Sequence, residues 1–276
     1  MFSFSYRSFR NHLRSPLEQS EVRFLIRTFS YSALYFLLFG IFISCVHWIV
    51  FKVLGSSPAV YLILTFLGIL CYFPLSFFAL KYRNNPLRVP TSFVMTAYMT
   101  LFSTFVLIFL GLSGVLGHVL LGSEAMGKTQ QHVLLTILAV FGVTCFVYLI
   151  PAAMAFFISS RRTVMTLNRF LNFCYLLYIA LFVVTVLVAF LGLSLSGVLH
   201  IVLFLLVSVL LFFSPVLTVY RMKTVAHYIN YEDPFERKRW ENYFTFEITF
   251  QLLQIAAHVL RIVIMFMHLG PKTRLR

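Results

Sequence analysis

Apolar residues along this 276-residue chain come in long unbroken runs, at about 30–54, 59–80, 91–121, 132–158, 170–193, 197–220 and 244–268. Each run, wound as a helix, is long enough to cross a hydrocarbon core of about 30 Å. Only helices or closed barrels satisfy their backbone groups in lipid, and runs of this length are helical. Seven of them joined by short polar stretches predict an all-α integral membrane protein, a seven-transmembrane helix bundle with no separate soluble domain. The organisation expected is a cytoplasmic basic N-tail (1–29), one seven-helix membrane domain (30–268) and a basic C-tail (269–276). Only Ser194, Leu195 and Ser196 separate the fifth and sixth runs, which predicts a tight hairpin. The first run lies behind a basic tail with no cleavable leader in front, and reads as its own insertion signal.

The last run departs from the apolar pattern. Glu247, Gln251, Gln254, His258 and Arg261 follow one another at steps of four, three, four and three, with His268 seven further on. Helical geometry puts all of them on one face. The other positions, such as Ile248, Leu252, Leu253, Ile255, Val259 and Ile262, are as apolar as lipid. Glu247 is the only carboxylate inside any of the seven runs. An ionisable group at mid-depth costs at least a few kcal/mol against hydrocarbon, so the stripe must face other helices or water. That makes the last helix a candidate centre of the protein. Three uses are open: bonding to neighbouring helices, lining a water-filled pathway, or meeting a partner.

Charge placement adds orientation. The N-tail and the second, fourth and sixth loops hold sixteen Lys and Arg residues, whereas the first, third and fifth loops hold Lys52 and Lys128 alone. Basic loops stay cytoplasmic, so the N-terminus is expected there. Arg261, Lys272, Arg274 and Arg276 run against the rule: the last helix either crosses fully and carries a basic tail outside, or dips and returns. Full crossing is the expectation, because earlier segments dominate orientation. The net charge of +14 lies beside the spans and suits the anionic cytoplasmic leaflet better than nucleic acid.

A chain with 61% hydrophobic and 11% charged residues and a mean hydropathy of +0.92 is no soluble enzyme. It has no phosphate-cradling glycine loop, no HExxH and no intramembrane Ser/His/Asp set. Its one aspartate, Asp233, rules out a di-aspartate membrane protease. His47, His200 and His258 have no metal-site spacing and are expected to cap or bond between helices. The reading is a non-enzyme without cofactor or metal. Cys45, Cys71, Cys145 and Cys174 lie in apolar runs without a CxxC pair and read as packing residues. Residues 232–241 read as a solvated cytoplasmic connector, with Trp240 and Tyr243 at the interface. Tyr6 and Phe9 fit a Tyr-x-x-bulky sorting signal in the N-tail.

Four stretches together carry a resemblance. Glu21-Val22-Arg23-Phe24-Leu25-Ile26-Arg27 resembles the "VRxxFIRKVY"-like start of the Bax-inhibitor-motif family, lifeguard branch. Arg83-Asn84-Asn85-Pro86 is similar to that branch's "RRxxPxN" link into the third span. The fourth run ends Ala155-Phe156-Phe157-Ile158-Ser159-Ser160, similar to "FAFQTKYDFT". The last begins Asn242-Tyr243-Phe244-Thr245-Phe246-Glu247, with Glu247 at the position of the family's aspartate. The divergence is like that of the cytomegalovirus seven-transmembrane relatives of this family. The resemblance implies a six-plus-one bundle, the last helix central and surrounded by the other six.

It also implies a function, modified by what is missing. Channel-type members carry a second intramembrane aspartate near the end of the sixth span, and Ser214 stands at that position here. Two facing carboxylates share protons and switch with pH; one carboxylate and a serine do not. The resemblance therefore implies a viral, Bax-inhibitor-like multi-pass protein that associates with host membrane proteins and modulates cell stress, death or immune recognition. The alternative is a calcium leak with Glu247, Gln251, Gln254, His258 and Arg261 along the path. The membrane implied is endomembrane (endoplasmic reticulum or Golgi) or the host cell surface. A ligand receptor of seven-helix type is disfavoured by the short external loops.

Overall fold

The computed structural model describes residues 17–54, 58–121, 126–158, 160–190 and 196–269. Among these the chain forms seven helices: α1 Gln19–Leu54, α2 Pro58–Asn84, α3 Thr91–Leu121, α4 Met126–Phe157, α5 Arg161–Phe190, α6 Ser196–Ala226 and α7 Pro234–Leu269. All seven are long and apolar enough to cross a membrane. The expected class and the seven spans are therefore present. Tyr6, Phe9 and residues 270–276 of the C-tail lie outside the described residues, as does most of the turn between α5 and α6.

The helices overrun their apolar stretches at the charged ends, and the local sequence explains why. Glu21 Oε2 accepts the backbone N–H of Glu18 at 2.8 Å, half of a capping box, so α1 starts at Gln19 rather than near residue 30. Arg23 and Arg27, expected in a tail, are helical. At α7, Asp233 Oδ1 accepts the N–H of Phe235 at 2.9 Å and Pro234 occupies the first helical position. The connector expected over 232–241 is thus helix from Pro234 onward, and the non-helical link shrinks to residues 227–233. Pro74, Pro151 and Pro215 sit inside α2, α4 and α6 without ending them, as membrane helices tolerate.

The chain divides into two compact units. The larger contains α1 from Ile26, α2, α3, α4 up to Phe146, and α7. Lipid tails are as apolar as leucine, so burial alone does not drive such helices together; close approach, ring packing and hydrogen bonds do. The α2–α3 pair is the most intimate contact in this unit, and glycine makes it so. A Cβ on Gly111 would lie 2.8 Å from the backbone nitrogen of Thr65, and one on Gly68 would lie 3.0 Å from that of Ile108. Gly114 faces the ring of Tyr61 in the same way.

Aromatic side chains join the remaining helices of this unit. Phe36 of α1 stacks on Phe141 of α4 at 4.6 Å, and Phe39 stacks on Phe102 of α3 at 5.8 Å. Phe109 meets Phe141 at 5.5 Å, while Tyr98 of α3 meets Phe246 of α7 edge-on at 5.3 Å. Such pairs contribute about 0.5–1.5 kcal/mol each beyond area burial. His47 of α1, fully buried, lies with Nδ1 2.8 Å from Ser113 Oγ of α3. It bonds between helices, as expected of it. Helix α3 thus touches α1, α2, α4 and α7. Facing outward, Leu62, Phe66, Phe73, Phe77 and Leu80 of α2 are exposed, an apolar band suited to lipid and too large for water.

The smaller unit holds the start of α1, the end of α4, and α5 and α6. Here α5 packs against α6, and Lys223 Nζ donates to the carbonyl of Phe156 at 3.5 Å. Cys174 is buried in this unit, in line with a packing role, but Cys45 in the larger unit is exposed on an outer helix face.

Candidate functional site in the seventh helix

The polar stripe of α7 is enclosed along most of its length. From residue 243 to residue 260 no position is exposed. Gln251 and His258 are buried at 5% and 8% exposure, Glu247 and Gln254 are half-buried, and Arg261 is exposed. The face that the 3.6-residue period groups together is therefore covered from Glu247 to His258 and opens only at Arg261.

Each covered group meets a specific neighbour or lies among buried ones. Tyr243, one turn before Glu247, donates its phenolic O–H to Glu247 Oε2 at 2.9 Å. Tyr243 is itself locked by Tyr82 of α2, edge-on at 5.3 Å, and by Phe244 at 4.9 Å. Gln254 donates its amide N–H to the Tyr72 hydroxyl of α2. Tyr72 also packs against Phe250 at 6.1 Å, which aims its hydroxyl along α7. Nearer the start of α7, Ser32 Oγ of α1 lies 3.5 Å from the carbonyl of Thr245. Within the stripe, Gln254 thus bonds across to α2 and Glu247 bonds within α7, while Ser32 joins α1 to the α7 backbone beside them.

Ser214 lies on α6 in the smaller unit, half-buried and one residue before Pro215. Among the described residues no group of three His, Cys, Asp or Glu converges as a metal site. The side chains of His200 and His268 lie outside those described.

Two features escaped the hydropathy pattern. Tyr72 and Tyr243 complete the stripe, yet their residue types are ordinary in apolar runs; only the i to i+4 spacing of Tyr243 and Glu247 hints at a pair. The second is Glu21, read as part of a tail. It sits on α1, almost fully buried, with Oε1 2.7 Å from Nδ1 of His227 just past α6. Glu21 therefore ties the first helix to the end of the sixth through a charge-assisted contact.

No family model, curated protein or solved structure matches the chain.

Proposed function

We propose that this chain is a Bax-inhibitor-like multi-pass membrane protein that acts by association with other membrane proteins, in the manner of the viral relatives that the sequence resembles. The host processes so modulated are cell stress, death or immune recognition. The observation that carries the reading is the packing of the α7 stripe. Glu247 is held by Tyr243, Gln254 by Tyr72, and Gln251 and His258 are buried. A conducting path would leave such groups to water; here Gln254 bonds across to α2, Glu247 is held from within α7, and Gln251 and His258 are enclosed. The stripe then acts as interhelical glue, α7 serves as the central post, and the lipid-facing outer surface is left to meet partners. The N-terminus is cytoplasmic, the chain is no enzyme, and the membrane is endomembrane or the host cell surface.

A second reading, a cation leak past Glu247, draws on one observation: Glu247 is only half-buried while its neighbours 243–246 are fully enclosed. Reconstitution with a calcium-sensitive dye separates the two. Association predicts no flux above empty liposomes. A flux abolished by Glu247→Gln would reverse the choice in favour of the leak. Association itself is tested by proximity labelling of the tagged full chain in cells. Recovery of no membrane protein above the level of an unrelated seven-span control would sink it.

A further inference from the structure

The link between α2 and α3 holds an open cavity of about 280 Å³ lined by Lys81, Asn85, Arg88, Val89 and Pro90. Its shape is fixed by the backbone: the N–H of Asn85 bonds to the carbonyl of Lys81, and the N–H of Arg88 bonds to the carbonyl of Asn85. Two basic residues and one amide residue therefore line one concavity. No acidic residue occurs between Leu80 and Thr91, and none lines the cavity. Among the described residues neither Lys81 nor Arg88 forms an ion pair. Lys81 Nζ lies over the ring of Phe93 at 5.1 Å, a contact that holds the ammonium in place while leaving its N–H donors free.

We propose that this cavity binds the phosphate of an anionic phospholipid headgroup. Phosphate is the chemistry it fits, with a planar guanidinium, an ammonium and an amide as donors and no carboxylate to repel it. The column of exposed residues beneath it identifies the source as lipid. Phe73, Phe77 and Leu80 are exposed at 70%, 63% and 58%. They fall at steps of four and three on one face of α2, ending beside Lys81. An acyl chain lying along that column brings its headgroup to the depth of Lys81, where a basic side chain ordinarily meets phosphate. The site is independent of whether the protein associates with partners or conducts ions.

The test uses the full chain in phosphatidylcholine nanodiscs doped with phosphatidic acid, with retained lipid counted by native mass spectrometry after release into detergent. Wild type is expected to retain phosphatidic acid about tenfold over phosphatidylcholine at equal mole fraction. The pair Lys81→Gln with Arg88→Gln abolishes that preference. Asn85→Asp, which keeps size but places a like charge in the cavity, does the same. Arg83→Gln, outside the cavity, leaves it intact. Equal retention of the two lipids by wild type, or retention unchanged in both cavity variants, overturns the site. Displacement of phosphatidic acid by an equal concentration of inorganic phosphate overturns the lipid assignment and makes the ligand a free phosphate.

Discussion

Gln254 and Tyr72 bear on how much a buried polar contact contributes when the surroundings are lipid and protein instead of water. The bond joins helices that are far apart in sequence, and the unfolded state within a micelle offers both groups other partners. Its net contribution is therefore small, about 0.6 kcal/mol and no more than about 1.7 kcal/mol. A double-mutant cycle of Gln254→Leu and Tyr72→Phe, read by unfolding in mixed micelles, should give a coupling energy in that range; additive losses would mean the contact is not formed. Glu21 and His227 differ, because their side chains are 8% and 6% exposed and one is a carboxylate. Substituting Glu21→Gln removes a charge-assisted bond, and the expected loss is on the order of 2 kcal/mol. Glu21→Gln in a chain already carrying His227→Ala should cost far less. The stripe itself was legible because its period is that of a helix, whereas its partners were not. Tyr72 has no marker in its own run, and Glu21 lies where hydropathy registers only a charged tail.

Between helices, the α2–α3 seam was hidden for a related reason: glycines are visible in the sequence, but which of them face a neighbour is not. Gly111 meets the backbone of Thr65, whereas a methyl group added at Gly142 of α4 would meet nothing within 4 Å. The same substitution should therefore have opposite signs at the two sites. Gly111→Ala forces α2 and α3 apart and should destabilise by about 1–3 kcal/mol through overpacking. Gly142→Ala removes backbone freedom without a clash and should be neutral or stabilising by up to about 1 kcal/mol. Thermal unfolding of the two variants in one detergent compares them directly; equal losses would mean that helix flexibility, not the seam, sets the cost. The existence and number of the helices were readable from run length, since nothing but a helix satisfies so long an apolar stretch in lipid. Their ends were not, because a capping side chain such as Glu21 or Asp233 extends a helix through charges that a hydropathy window assigns to loops.

For the molecule as a whole, orientation turns on the seventh helix, whose flanking charges argue against the crossing that its length demands. α7 runs unbroken over 36 residues, about 54 Å at 1.5 Å per residue, well beyond a hydrocarbon core of about 30 Å. A dipping segment must break its helix to return, and this one does not break before Leu269. Crossing places Arg261, the one exposed member of the stripe, toward the outer face together with Lys272, Arg274 and Arg276. With Lys52 and Lys128 that makes six cations on that face against sixteen on the other, and the bias of the earlier segments is expected to set the topology before the last helix inserts. The two termini are therefore expected on opposite faces, the N-terminus cytoplasmic. Epitope tags at each end, probed by protease in sealed and in permeabilised membranes, read this out. Protection of the C-terminal tag alone, with the N-terminal tag cleaved from the cytoplasmic side, is the expected result; both tags cleaved from that side would require α7 to turn back within the membrane, and the enclosure of the stripe from Glu247 to His258 would then need another account.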